Sequence, residues 1–269
     1  MFSVLDNEFK IDGTFMKKIF VLLLCFFVAA CVSNEPKMAG FQRQDILGDE
    51  ITLAAWTKNI KPLKKLRIYI DGNAKSVGLF GKKKPTVETP VARFYAQKDT
   101  YPHIMYLARP CLFVNDSKCQ PAVWEEGQFQ EEIIDEMKSA IERTLKKYHI
   151  KEIELIGYDG GATMALLLAT RLRDVDVKVI TIAGILDVEQ YALLNDVDLS
   201  DYSENPAKEL FSLSQIHQVH FIGAKDKIFP TEYVKLFREN MPNPKHFEIN
   251  VSQSATHDNW IEKNIKLSY

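Results

Sequence analysis

From about residue 64 onward, short apolar runs alternate with stretches in which apolar residues return every three or four positions. The runs Leu66–Asp71, His103–Ala108, Glu154–Gly157, Val177–Ala183, Val219–Gly223 and His246–Val251 predict strands. Between them, apolar residues at 129, 133, 137, 141, 145 and 148 fall on one face of a helix. Its acidic residues come early (Glu131, Glu132, Asp135) and its basic ones late (Lys146, Lys147), as the helix dipole favours. Val91–Gln97, Thr163–Arg173 and Thr231–Asn240 are further predicted helices. Mostly apolar strands alternating with helices predict an α/β domain, a mostly parallel sheet with helices on both faces. In such a sheet ligands meet the carboxyl ends of the strands.

The first 31 residues follow a different pattern. Lys17-Lys18 precede a ten-residue apolar run, Ile19–Val28, and two alanines before Cys31. This is the layout of a secretory signal, and the run is too short for a membrane-spanning helix, which needs about 20 residues. Val28-Ala29-Ala30-Cys31 resembles the lipobox of bacterial lipoproteins, in which the cysteine is acylated and becomes the mature N-terminus. Plain cleavage after Ala30, leaving Cys31 free, is the alternative. Residues 1–15 carry Asp6, Glu8 and Asp12, which do not suit the basic start of a signal, so Met16 is read as the true start.

The expected organisation is therefore an upstream extension at 1–15, a lipoprotein signal peptide at 16–30, a polar tether at 31–48 and one domain at 49–269. The expected place is the bacterial cell envelope, with a lipid anchor at Cys31; Val32 rather than Asp after it favours the outer membrane, facing the periplasm.

Composition narrows the function. Lys+Arg number 34 against Asp+Glu 36, a net charge of −2, with no like-charge block longer than Lys82-Lys83-Lys84. Nothing here forms an electrostatic footprint for nucleic acid. No phosphate-binding glycine loop or metal-ligand spacing is visible, so no cofactor and no metal is expected. The partners expected are a small-molecule substrate or ligand and the membrane through Cys31. Of the four cysteines, Cys25 falls in the signal. Cys111 and Cys119, eight apart, would meet an oxidising compartment and are expected to form a disulfide; two reduced structural thiols are the alternative.

Three strand ends carry the chemistry. Gly157-Tyr158-Asp159-Gly160-Gly161 matches the nucleophile elbow G-x-S-x-G except that Asp159 stands at the serine position. The elbow glycines Gly157 and Gly161 suit a turn too tight for side chains. The plainer reading is that Asp159 simply caps the next helix. Asp226 follows the strand ending at Gly223, and His257 follows the last strand. The order 159, 226, 257 is the chain order nucleophile, acid, base.

On these residues the chain resembles the α/β-hydrolase superfamily, and within it bacterial envelope hydrolases with a small lid, over roughly residues 64–262. Tyr69-Ile-Asp-Gly is similar to that group's strand end before the oxyanion loop, and Tyr106-Leu-Ala-Arg-Pro-Cys to its Arg-Pro-Cys segment, with Trp124 and Phe129 in matching places. Gly223-Ala-Lys-Asp226 and His257…Trp260 match its acid and histidine segments. The resemblance implies a catalytic set of Asp159, Asp226 and His257, with an oxyanion hole made by the backbone N–H groups of Asn73 and Gly160.

An aspartate at the elbow is ionised without a base, but against an ester it is a weak nucleophile that yields a mixed anhydride. Attack on an sp³ carbon, as in the superfamily's epoxide hydrolases and haloalkane dehalogenases, suits it better. Tyr191 and Tyr202, in the insertion Ile185–Ile216, are candidates for an epoxide-activating pair, against the plainer reading as packing residues. Two other functions stay open: a non-catalytic envelope protein that binds a ligand or partner, and a hydrolase that substitutes Ser76 or Ser254, although neither lies on an elbow.

Overall fold

Eight strands of the computed structural model join in one sheet. The structure describes residues 35–62, 64–77, 83–244, 246–263, 265 and 267; the expected upstream extension, signal and Cys31 lie outside them. The chain divides into two units, 1–37 and 38–269, and the sheet with both of its cores belongs to the second.

The strands are β1 (Gln42–Leu47), β2 (Thr52–Lys58), β3 (Lys65–Ile70), β6 (Ile104–Leu107), β7 (Glu152–Tyr158), β8 (Asp176–Ile182), β9 (His217–Gly223) and β10 (Phe247–Ser252). They lie side by side in the order β1-β2-β6-β3-β7-β8-β9-β10. From β6 to β10 every neighbouring pair is parallel, whereas β2 is antiparallel to both β1 and β6. A short antiparallel pair, β4 (Lys75–Val77) and β5 (Lys84–Thr86), lies outside the sheet. The mostly parallel sheet expected from the alternating pattern is therefore present.

Because successive strand residues face opposite ways, each strand feeds two cores. Tyr69, Ile156 and Tyr158 enter one core, with helix α1 (Val91–Lys98), the short α2 (Pro121–Trp124) and the buried Trp260. Leu66, Ile68, Ile70, Ile153 and Leu155 enter the other. There they meet helices α3 (Glu131–Tyr148), α4 (Gly160–Arg171), α5 (Val188–Asn195), α6 (Leu210–Leu213) and α7 (Thr231–Glu239). Helices thus cover both faces. The Asp71 carboxylate, at the end of β3, accepts from the Ala92 and Arg93 amides and so fastens the start of α1 to that strand end.

Two differences from the expected layout concern the N-terminal side. The expected tether runs to residue 48, but Gln42–Leu47 form β1, the edge strand, in register with Thr52–Thr57 of β2. Their polar side chains conceal a strand because one side of an edge strand meets water. β2, with buried Leu53, Ala54, Ala55 and Trp56, is not among the expected strands, since two alanines give a faint apolar signal.

Cys111 and Cys119 are joined in a disulfide. Closing so short a loop contributes roughly 2–3 kcal/mol by restricting the unfolded chain. It follows a short segment, Arg109–Pro110, that leaves the end of β6.

Candidate active site

The turn from β7 into α4 is a single residue long. Asp159 sits in it at φ 52°, ψ −125°, a sparsely populated conformation for any residue with a side chain. A Cβ on Gly157 would run into Gly161, and one on Gly161 into the Ile70 carbonyl of β3, so both elbow positions require glycine. The capping alternative is not what the turn does. The Asp159 side chain makes no capping hydrogen bond to the helix and reaches His257 and Asn73 instead.

Its two oxygens are shared between neighbours from different strand ends. Oδ1 lies 3.2 Å from His257 Nε2, and Oδ2 accepts the Asn73 N–H at 2.9 Å. On the far side of the imidazole, Nδ1 lies 2.9 Å from Asp226 Oδ2, while Asp226 Oδ1 accepts from the Ile228 and Phe229 amides. The structure therefore brings together Asp159, Asp226, His257 and Asn73, which follow β7, β9, β10 and β3. Gly160 stands beside them at the start of α4, and its amide also favours the charged Asp159 carboxylate.

The charges follow from this geometry. Burial pulls the His257 imidazole down, but hydrogen bonds and attraction from Asp159 and Asp226 outweigh it and raise its pKa to about 10. Burial pushes the Asp159 carboxyl up, while His257, Asn73 and Gly160 pull harder and hold it below the usual carboxylate range. At neutral pH the resting site is an imidazolium held between two carboxylates. A histidine held protonated in this way is no base at neutral pH.

A cavity of about 350 Å³ opens onto Asp159 and His257, large enough for a small ligand. Its wall includes Tyr158, Tyr191, Asn195 and Ile228. Tyr191 comes from helix α5 of the insertion, and its phenol is raised to about 12 by burial and by Asp159, against an opposing hydrogen bond from the Asn73 side chain. Tyr202 is 81% exposed and is not on this wall, so the candidate tyrosine pair does not form and the plainer reading holds for Tyr202. The 200–203 stretch lies instead against the segment before α3, where Ser200 N–H bonds the Glu126 carbonyl and Ser203 pairs with Gln130. A second hollow, of about 450 Å³ between Gly127 and Leu199, contains none of the three residues.

The alternative serines are elsewhere. Ser76 accepts from Trp124 Nε1 at 3.0 Å and donates to Glu125; Ser254 accepts from Lys263 Nζ at 3.2 Å. Neither is bonded to His257, whose ring nitrogens face the two carboxylates. The sequence offers Arg109 only as part of the Arg-Pro-Cys segment; the structure gives it a place in the site, where its guanidinium donates to the Asn73 side chain. The segment alone names no contact for the arginine; its burial does.

No family model matches the chain, and no curated protein matches it. Solved structures do match in fold. A membrane phospholipase A, described as a bacterial virulence factor, superposes with a TM-score of 0.62 at 14% identity, over 94% of each chain. An esterase of Pyrococcus furiosus gives 0.57 at 14% identity, over 82% of this chain and 84% of its own. An alpha-beta serine hydrolase homologue from Coxiella burnetii gives 0.58 at 16% identity, over 85% and 95%. With the sheet order, the elbow after β7 and these likenesses, the chain has the α/β-hydrolase fold.

Proposed function

We propose that the protein is a hydrolase that attacks an sp³ carbon, of the epoxide or haloalkane type, through Asp159. The observation that carries this reading is the division of the Asp159 carboxylate: Oδ2 is held by the Asn73 amide, while Oδ1 faces His257 at the edge of the cavity. Oδ1 attacks the substrate carbon, the bond from that carbon to the epoxide oxygen or halogen breaks, and an ester to Asp159 forms. A departing alkoxide takes its proton from the His257 imidazolium; a halide leaves as the ion.

Esterification removes the charge of Asp159, one of the two that keep His257 protonated. The histidine becomes a neutral base, directly for an epoxide and by releasing its proton to water for a halide. It then takes a proton from water, and the resulting hydroxide attacks the ester carbonyl. The Asn73 and Gly160 amides hold the oxyanion that forms. Collapse releases the alcohol, which takes the proton from His257; the Asp159 carboxyl left behind carries one oxygen from water and passes its proton to His257, restoring the resting pair. Asp226 orients the ring throughout.

Acyl transfer would be the reaction of an esterase, but with aspartate at the elbow it would run through a mixed anhydride, which disfavours it here. A second reading, a non-catalytic binding protein, draws support from the same ion triplet, because a site whose charges satisfy one another needs no substrate to be stable. Envelope anchoring through Cys31 belongs to this proposal too. It is supported by the signal-like N-terminus and by a disulfide suited to an oxidising compartment.

A single-turnover reaction in H₂¹⁸O with epoxide, haloalkane and ester panels tests the chemistry. The expected result is ¹⁸O in the peptide bearing Asp159 with the first or second panel. Neither label nor product in any panel would leave the binding reading. The companion variant Asp159→Ser is expected to gain esterase activity, since Asp226, His257 and the Asn73 amide remain in place.

A further inference from the structure

Arg109 is 4% exposed, yet none of its hydrogen bonds among the described residues goes to a carboxylate. One arm of the guanidinium donates to Asn73 Oδ1 at 3.1 Å and to Gln128 Oε1 at 3.3 Å; the other donates to the Gln128 carbonyl at 2.6 Å. The group also lies over the Phe129 ring, 5.2 Å from its centroid. Burying a guanidinium without a bonded carboxylate is costly, so a surrounding that retains it does so against a substantial penalty. The charge attracted to it is that of Asp159.

Asn73 is the link between the two. Its amide N–H is bonded to Asp159 Oδ2, its side-chain oxygen is bonded to Arg109, and a side chain at Gly160 would strike that same oxygen. The Asn73 side chain is therefore clamped between the elbow and the arginine.

We propose that Arg109 is the positioning residue of this site: through Asn73 Oδ1 it aims the Asn73 N–H at Asp159 Oδ2, and it adds to His257 a second buried positive charge on the side of that carboxylate. The first role needs the planar, forked guanidinium, which reaches Asn73 and Gln128 at once; the second needs only a positive charge. Lysine therefore separates them. This inference goes beyond the proposed reaction, and its kinetic arm rests on Asp159 being the reacting carboxylate. A second arm registers without turnover.

In the kinetic arm, alkylation of Asp159 by propylene oxide or bromoethane is followed by the mass of its peptide across pH. Arg109→Met is expected to slow alkylation by about a hundredfold, the order found when reacting groups are misplaced by about an ångström. It is also expected to move the acid limb of the profile upward, because Asp159 loses a stabilising charge. Arg109→Lys is expected to keep the acid limb of the natural protein and still alkylate slowly. Asn73→Ala, which keeps the amide but removes the oxygen Arg109 grips, is expected to slow alkylation similarly, with the Asn73→Ala/Arg109→Met pair no slower than either alone.

In the second arm, the His257 imidazole resonances of ¹⁵N-histidine protein are titrated downward in pH. The acid step that reports protonation of Asp159 is expected at higher pH in Arg109→Met and unmoved in Arg109→Lys. Where Arg109→Met does not fold, Arg109→Lys and Asn73→Ala carry the test. An unmoved acid step in Arg109→Met, or Asn73→Ala and Arg109→Lys proteins that alkylate at the natural rate, would overturn the proposal. Absence of alkylation in the natural protein, together with the expected shift of the acid step, would sink the reaction of Asp159 and leave Arg109 as the second of its two stabilising charges.

Discussion

The aspartate at the elbow brings a second carboxylate to His257. In a serine triad the histidine rests neutral against one carboxylate; here it has two, and they hold it protonated up to about pH 10. The effect on stability has a definite sign. A group whose pKa is raised on folding stabilises the fold fully below its unfolded value and loses that contribution as pH rises through the folded one. The His257 contribution is therefore complete below pH 6.5 and is lost between pH 6.5 and about 10. Asp159, lowered on folding, acts at the other end: its contribution is lost as pH falls below its ordinary 3.8. Chemical denaturation across pH is expected to show the alkaline loss in the natural protein and a smaller one in Asp159→Ser, where one partner of His257 is gone. Equal alkaline losses would mean that Asp159 does not hold the proton on His257.

At the scale of elements, the site is assembled where β3, β7, β9 and β10 end, and those ends are legible because buried parallel strands are short apolar runs. The positions of Asp159, Asp226 and His257 after three of them can be read directly. The elements that escape such a reading are those whose burial comes from position rather than composition: polar β1, and β2 with its two central alanines. The contacts of Arg109 and the exposure of Tyr202 are illegible for the same reason, since a side chain's surroundings depend on chain segments far away in sequence. The joint between elements is also where tolerance is least. Gly161 packs directly on the backbone of β3, and Gly161→Ala is expected to cost about 1–3 kcal/mol, the range for overpacking. Thermal or denaturant unfolding measures this, and an unchanged midpoint would show that the β7–α4 turn can open away from β3.

For the molecule as a whole, the α/β-hydrolase fold supplies a cavity and a charged constellation within residues 38–269, while the proposal of envelope anchoring concerns the N-terminal segment. With lipidation, the mature chain begins at Cys31 and has 269 − 30 = 239 residues; three basic and three acidic residues leave together, so the net charge stays at −2. Intact-mass measurement on protein extracted from membranes is expected to give this chain plus its acyl groups. A mass for the unmodified chain from Cys31 would mean ordinary secretion instead. The charge balance, unaltered by processing, gives no preference among neutral substrates.

The bond from the Asn73 amide to Asp159 Oδ2 reaches beyond this protein's own reaction. Reagents that survey cells for serine hydrolases, such as fluorophosphonates, need a hydroxyl to phosphorylate and a vacant pair of amides to receive the phosphoryl oxygen. Here the side chain at the elbow is a carboxylate, and it already accepts the Asn73 amide. A proteome profiled with such reagents would count this protein among the unreactive ones, whether or not it turns over a substrate of its own. Alkylating reagents aimed at carboxylates are the ones to which the site is matched.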